Sequence, residues 1–335
     1  MAMYELLGIS LALSGLLTFN AVASLLAASF WRALHNRAQS WSAVMRSQVL
    51  FALRVFPGVA AIICVITLLI PAYIAHEPRH KTEELSLKLA LLAAVSAAGL
   101  LLAAWRGLAA WMATRSLISD WLRNSEPINL PQAPVPAYLL RHQFPVIAVV
   151  GTFRPRLFIA SHLLDSLSKE ELAAAIAHEC GHLSARDNLK RALLRACRDA
   201  LTIVPCGRLL DREWAAASEA AADEFAARNG GVVALDLAAA LVKIARLVPA
   251  GAYPVMPASA LLIGEDAGGI ANRVKLLAQL ATNSRRENGA LSFAIPASLW
   301  FSIGALATAA LLIATNSHSL NTIHRFIEAA VSTLQ

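Results

Sequence analysis

The chain has 335 residues, of which 57% are hydrophobic and 15% are charged, and its mean hydropathy is +0.57. These values exclude an ordinary soluble domain, and the length exceeds that of a lone membrane anchor. A formal net charge of +7 would suggest nucleic acid in a soluble protein, but the excess of Lys and Arg on cytoplasmic loops of membrane proteins explains it here. We therefore expect an integral membrane protein with one modest soluble domain and no direct nucleic acid partner.

Four apolar segments predict transmembrane helices. The first contains a cleavage-like Ala21, Val22, Ala23, but no basic segment precedes it, so we favour a retained helix over a signal peptide. The predicted spans are residues 4–31, 55–74, 89–111 and 291–315. This pattern predicts three spans within 1–112, a soluble domain at 113–290, a fourth span within 291–317 and a short tail at 318–335.

The loop at residues 32–54 carries four arginines and no acidic residue, so we place it in the cytoplasm. The soluble domain then faces the cytoplasm, and the tail is extracytoplasmic. The cysteines show no paired spacing, which indicates no disulfide framework and suits the reducing side of the membrane. They are Cys64, Cys180, Cys197 and Cys206.

The soluble domain contains the motif HExxH, formed by His178, Glu179 and His182. On a helix this spacing sets both imidazoles on one face, where they can share one Zn²⁺ ion. Glu179 lies one step round the helix and stays free to take a proton, as metal-assisted hydrolysis requires. Ser168 and Glu171 form a capping box, which predicts a helix that begins near Lys169.

A second candidate helix carries Glu219 and Asp223 at i, i+4 and stops at an Asn-Gly-Gly sequence. Taken alone, such a pair is usually a solvated face. Joined to HExxH, Glu219 is a candidate third zinc ligand, and Asp223 could orient a ligand histidine from outside the ligand shell.

Other segments of the domain predict its scaffold. Residues 144–150 and 157–160 favour a hairpin, whose edge could accept an extended substrate peptide or be purely structural. We expect residues 183–204 to prolong the motif helix, with a basic side that rests on anionic lipid or is simply solvated. This side consists of Lys190, Arg191, Arg195 and Arg198. Residues 232–248 and 270–281 predict two amphipathic helices.

Three passages resemble the gluzincin membrane metallopeptidases, namely the BlaR/MecR-type antirepressor peptidases and the related HtpX and CAAX prenyl endopeptidases. The passages, in this order, are FRPRLFIASHLLDSL, EELAAAIAHECGHLSARD and SEAAADEFA. The resemblance implies a zincin-like α+β domain with His178, His182 and Glu219 as Zn²⁺ ligands. It also implies Glu179 as general base and Asp223 as outer support, and it alone singles out Asp187.

The order of the spans resembles the BlaR/MecR arrangement, because the HtpX type places spans between the HExxH helix and the third ligand. The chain lacks the large extracellular penicillin-binding domain of those sensors, which argues against direct β-lactam sensing. It also lacks the histidine that follows the third ligand in the HtpX group. In its place we consider Arg273 as a possible stabiliser of the transition state.

We therefore expect a mainly α integral membrane protein of the cytoplasmic membrane that acts as a zinc endopeptidase on cytoplasmic or juxtamembrane proteins. A repressor-type substrate is favoured, and its partners would be that protein, the bilayer and either a separate sensor protein or further copies of the chain. A quality-control protease of HtpX type is the alternative. A non-enzymatic signalling protein with a relic metal site and a transporter explain the motif spacing less well.

Overall fold

The computed structural model describes residues 2–77, 86–200, 206–248, 267–282 and 297–334. The fold is mostly helical, with one small sheet in the middle of the chain. The helices are α1 (Ala2–Ala38), α2 (Ala43–Cys64), α3 (Ile70–His76), α4 (Leu87–Arg123), α5 (Ser161–Ser166), α6 (Lys169–Ala185), α7 (Asp187–Ala200), α8 (Cys206–Ala227), α9 (Gly231–Leu247), α10 (Ala267–Thr282), α11 (Ala297–Ala314) and α12 (Ser317–Leu334).

Three helical stretches are long and apolar enough to cross a membrane: Met3–Ala38, Ala43–His76 and Leu87–Arg123. The second consists of α2 and α3 joined by a π-helical turn, Val65–Leu69, so the helix continues through Pro71. All three extend beyond the spans predicted from hydropathy. The residues of these helices beyond the predicted spans contact the domain predicted at 113–290, which the prediction treated as a separate unit.

The fourth predicted span lies partly outside the described residues. Its described part is α11, within which Gly304–Ala314 is a shorter apolar helix. Four spans therefore remain a prediction. The tail forms a further helix, α12, where His324 stacks on His76 of α3 with ring centroids 5.5 Å apart.

A four-stranded sheet lies in the segment predicted as the soluble domain. Its strands are β1 (Ser125–Ile128), β2 (Ala137–Leu140), β3 (Ile147–Val150) and β4 (Arg156–Ala160), in the order β1-β2-β4-β3. The antiparallel pair of β3 and β4 confirms the predicted hairpin, and β2 runs parallel to β4. Because β3 is at the edge of the sheet, the N–H and C=O groups of alternate residues face away from β4.

The domain core lies between this sheet and the helices α6 and α9. Phe158 and Ile159 of β4, Ile176 of α6 and Leu237 and Leu241 of α9 are almost fully buried in one cluster. The helix α6 begins at Lys169 as predicted, since Ser168 Oγ accepts the Glu171 N–H at 3.1 Å and Glu171 accepts the Ser168 N–H at 2.8 Å. This packing fixes the motif helix against the sheet.

The prediction of an unbroken helix from residue 183 onward is wrong. α6 ends at Ala185, and Arg186 adopts the left-handed conformation with a φ of 54° before α7 begins at Asp187. The break turns the Asp187 carboxylate back towards His182, to a distance of 2.7 Å. No glycine or proline signals this break, and the hydrogen bond between His182 and Asp187 forms across it.

The N-terminal half of α2 packs against α8. Arg54 forms an ion pair with Asp211 at 2.9 Å, and Glu224 accepts the Ala43 N–H at 3.0 Å. Apolar side chains of α1, α2, α7 and α8 fill the space between these contacts. They include Trp31, Leu50, Phe51, Leu194, Leu210 and Trp214.

Candidate metal centre

The two motif histidines share one face of α6. Their rings lie 4.8 Å apart between centroids and are nearly perpendicular. His178 is fully buried, and His182 is largely buried, with its side chain 14% exposed. The spacing therefore gives the geometry predicted from the sequence.

Gly181 allows α8 to approach this face. A Cβ at Gly181 would lie 3.0 Å from Ala222 Cα and 3.2 Å from Phe225 Cβ. Ala222 is one turn beyond Glu219 on α8, so the close approach of the two helices brings Glu219 opposite the histidines. We therefore expect a side chain at position 181 to shift α8 and Glu219 with it.

The Nδ1 atom of each histidine is paired with a carboxylate. His178 Nδ1 lies 2.9 Å from Asp223 Oδ1, and His182 Nδ1 lies 2.7 Å from Asp187 Oδ2. The Nε2 atoms then face Glu219, at 3.6 Å for His178 and 3.5 Å for His182. Carboxylates in these positions select the tautomer that presents Nε2 to a metal.

The three side chains fit a zinc ion. One ligand atom from each of His178, His182 and Glu219 lies within 4.8 Å of the other two, and within the described residues no other group of this kind occurs. Glu219 Oε2 is buried and has no hydrogen bond. Arg273 Nη1 and His178 Nε2 approach this oxygen only to 3.4 Å and 3.6 Å, and a metal ion between the three side chains would satisfy the buried carboxylate more fully.

Glu179 lies beside the cluster on the side of the sheet. Its Oε2 accepts the Val149 N–H from β3 at 2.9 Å, while Asn188 Nδ2 donates to Val149 O at 3.0 Å. The outward groups of Val149 are therefore already bonded. A peptide that added to the edge of β3 at this residue would have to replace both partners.

Arg273 of α10 also lies in the centre. It donates two hydrogen bonds to Asp223, from Nε at 2.9 Å and from Nη2 at 2.7 Å, and its Nη1 is 3.4 Å from Glu219 Oε2. This geometry supports positioning of Asp223 and Glu219 by Arg273. Stabilisation of a transition state by Arg273 remains a prediction.

Arg191 of α7 was not predicted as a site residue. Its Nη2 lies 3.1 Å from Glu219 Oε1, and its guanidinium lies 5.9 Å from the centre of the Trp214 ring. The prediction placed it on a basic helix side facing lipid or solvent, which is wrong for this side chain. No sequence spacing signals the contact, because it depends on the break at Arg186.

The charges of the centre are strongly coupled. Burial opposes the protonated form of His182, but Glu219 and Asp187 outweigh it and raise the pKa of His182 to about 10. Burial also opposes ionisation of Glu219, yet His182, His178 and Arg273 hold the pKa of this carboxyl well below its usual range. The two carboxylates beside His182 thus favour the protonated form of its imidazole.

The structure brings together all the residues singled out from the sequence. It adds Ser218, whose Oγ donates to Asp187 Oδ2 at 2.6 Å, and the Val149 N–H on Glu179. Ser218 adjoins Glu219 in the sequence, but nothing in the pattern shows that it reaches Asp187. Backbone groups such as the Val149 N–H carry no sequence signal.

Residues 112–277 match the family model described as Peptidase family M48. This match supports a relationship of the chain to the M48 metallopeptidase family. The matched segment runs from the end of α4 to α10 and contains every residue of the centre described above. Members of the M48 family are metallopeptidases that typically use zinc, in agreement with the His178, His182 and Glu219 cluster. A search of curated proteins finds no match to the chain.

Proposed function

We propose that the chain is a membrane-embedded zinc endopeptidase that hydrolyses peptide bonds of cytoplasmic or juxtamembrane proteins. The observation that carries this proposal is the pairing of both Nδ1 atoms with carboxylates, which leaves both Nε2 atoms facing Glu219. The M48 match and the three long apolar helices support the peptidase and membrane parts of the proposal.

When bound, zinc supplies a Lewis acid that polarises a peptide carbonyl and makes a water molecule easier to deprotonate. His178, His182 and Glu219 would hold the ion, and an open fourth position is typical of catalytic zinc sites. Asp223 and Asp187 orient the two imidazoles, and Arg273 holds Asp223 in place through its two hydrogen bonds.

Glu179 is the proposed general base. Because the Val149 N–H holds Oε2 at 2.9 Å, the carboxylate is fixed at the edge of the cluster and Oε1 carries the proton transfer. The carboxylate accepts a proton from water and then delivers it to the departing amine. Because a hydrogen bond to the sheet already orients this base, the free-energy cost of orienting it during the reaction is lower.

A regulatory role with a repressor-type substrate is the favoured form of this function. Among the described residues between His182 and Glu219, no helix is apolar enough to span a membrane. HtpX-type peptidases place spans in this interval, so the arrangement supports the antirepressor type over a quality-control protease. By the same resemblance, we place the domain on the cytoplasmic side of the inner membrane.

The test compares the proteins that accumulate in cells carrying the wild type, Glu179→Ala and the control Glu170→Ala. Glu170 is an exposed residue on the same helix. We expect Glu179→Ala to keep zinc and lose cleavage, so that one protein or a small set accumulates, whereas Glu170→Ala behaves as the wild type. Broad accumulation of damaged membrane proteins would instead indicate quality control. Equal protein levels in all three strains would refute an enzymatic role.

A further inference from the structure

One lysine of α7 lies between α2 and the metal centre. Lys190 of α7 is buried, 6% exposed, and its Nζ lies 5.8 Å from the centre of the Phe51 ring. Phe51 belongs to α2 and is itself 3% exposed. A lysine on the predicted basic side of this segment thus lies inside the protein, against a membrane helix.

The charge of Lys190 faces the carboxylate that orients His182. Lys190 Nζ is 3.7 Å from Asp187 Oδ1, while Asp187 Oδ2 bonds both His182 Nδ1 and Ser218 Oγ. Burial lowers the pKa of Lys190, and Asp187 opposes that shift. The two oxygens of Asp187 therefore have separate partners: one the ligand histidine and the serine, the other the lysine.

Asp187 is almost completely buried, at 4% exposure. A buried carboxylate is stable in its charged form only when it is paired and hydrogen-bonded. Replacement of Lys190 by an apolar side chain would leave Oδ1 without its cation. The carboxylate could then rotate towards other donors, and the imidazole bonded to it would rotate with it.

We propose that Lys190 is a positioning residue of the metal centre and that Phe51 holds it there. Lys190 acts through Asp187 on the orientation of His182, and it does not touch the metal or the substrate. This inference rests on the proposed zinc function of His178, His182 and Glu219. It makes α2 part of the support of the metal centre, so movement of α2 away from α7 would weaken zinc binding.

The test measures zinc affinity of the full-length protein in detergent by competition with a chromogenic chelator. Lys190→Met retains an unbranched apolar chain against Phe51 and removes the charge. We expect about tenfold weaker zinc binding, as is typical when an outer partner of a metal ligand is lost. We expect recovery towards the wild-type affinity in Lys190→Arg, together with a shifted visible spectrum of the cobalt-substituted Lys190→Met protein.

Lys243→Met is the matched control. Lys243 forms a lysine–carboxylate pair with Glu171 at 2.8 Å in the same domain, but Glu171 bonds no candidate metal ligand. We expect this variant to lose some stability and no zinc affinity. If Lys190→Met bound zinc as tightly as the wild type, with the same cobalt spectrum, the inference would be wrong while the proposed function stood. Wild-type protein that bound no zinc would overturn both.

Phe51→Leu keeps the lysine and tests the contact with α2, including the case in which Lys190→Met does not fold. We expect a smaller loss of zinc affinity than in Lys190→Met and no additional loss when the two changes are combined. Additive losses in the double variant would show that Phe51 does not act through Lys190. Unchanged zinc affinity in Phe51→Leu would refute the role of α2.

Discussion

Gly181→Ala tests whether the close approach of α6 and α8 sets the metal centre. The added Cβ would meet Ala222 Cα at 3.0 Å, Phe225 Cβ at 3.2 Å and Ala222 Cβ at 3.3 Å. Carbon atoms in good contact are about 3.5–4.0 Å apart, so α8 must shift by a few tenths of an ångström to accept the new Cβ. The nearest atom belongs to the backbone, so rotation of a side chain cannot relieve the clash.

Two opposing effects determine the stability of this variant. Replacement of glycine in a helix interior stabilises by about 1 kcal/mol, whereas overpacking of a tight interface costs about 1–3 kcal/mol. We expect a net loss of about 0–2 kcal/mol in the free energy of unfolding. The effect on zinc should be larger, because ligand distances tolerate only about 0.2 Å of error and Glu219 moves with α8.

The assay combines chelator competition for zinc with chemical unfolding in detergent. We expect zinc affinity to fall at least about tenfold. Gly107→Ala is the control, since a Cβ at Gly107 of α4 would meet no atom within 4 Å. If Gly181→Ala bound zinc as tightly as the wild type, the close helix approach would not be what positions Glu219.

Three further predictions concern stability. Burial raises the pKa of Glu224 more than the Ala43 N–H and nearby arginines lower it. The stability that Glu224 contributes is therefore complete below its unfolded pKa, about 4.5, and is lost as pH rises. Glu224→Gln should raise the melting temperature at pH 7 and not at pH 4, and equal shifts at both pH values would contradict this. Ser168→Ala should cost about 1 kcal/mol in unfolding free energy by loss of the N-cap of α6, and an unchanged value would show that the cap is dispensable. Leu241→Ala should cost about 2–5 kcal/mol by opening a cavity in a site that is 0% exposed, and a cost under 1 kcal/mol would show that α9 repacks.

The sequence predicts the parts of this protein that depend on local patterns. The capping box at Ser168 places the start of α6 at Lys169, and hydropathy finds the three long helices. The motif spacing also predicts that His178 and His182 share a face. These features depend on neighbours within one or two turns of the chain.

Some of the missed features lack a clear local pattern, and others depend on contacts between distant segments. β1 and β2 have four residues each, too few for a clear alternating pattern, and β1 includes a proline. The break at Arg186 was missed because a residue other than glycine adopts the left-handed conformation there. Hydropathy does not indicate the part of α2 before residue 55, because Phe51 and Arg54 there contact α7 and α8 instead of lipid.

Zinc content of purified full-length protein, measured by mass spectrometry of the metal, tests most directly whether two helices hold one ion between them. The comparison is between the wild type, Glu219→Ala and Glu213→Ala, which changes a glutamate elsewhere on α8. We predict about one zinc per chain in the wild type and in Glu213→Ala, as expected for one catalytic zinc site, and little zinc in Glu219→Ala. A full zinc content in Glu219→Ala, or none in the wild type, would contradict the proposed metal centre.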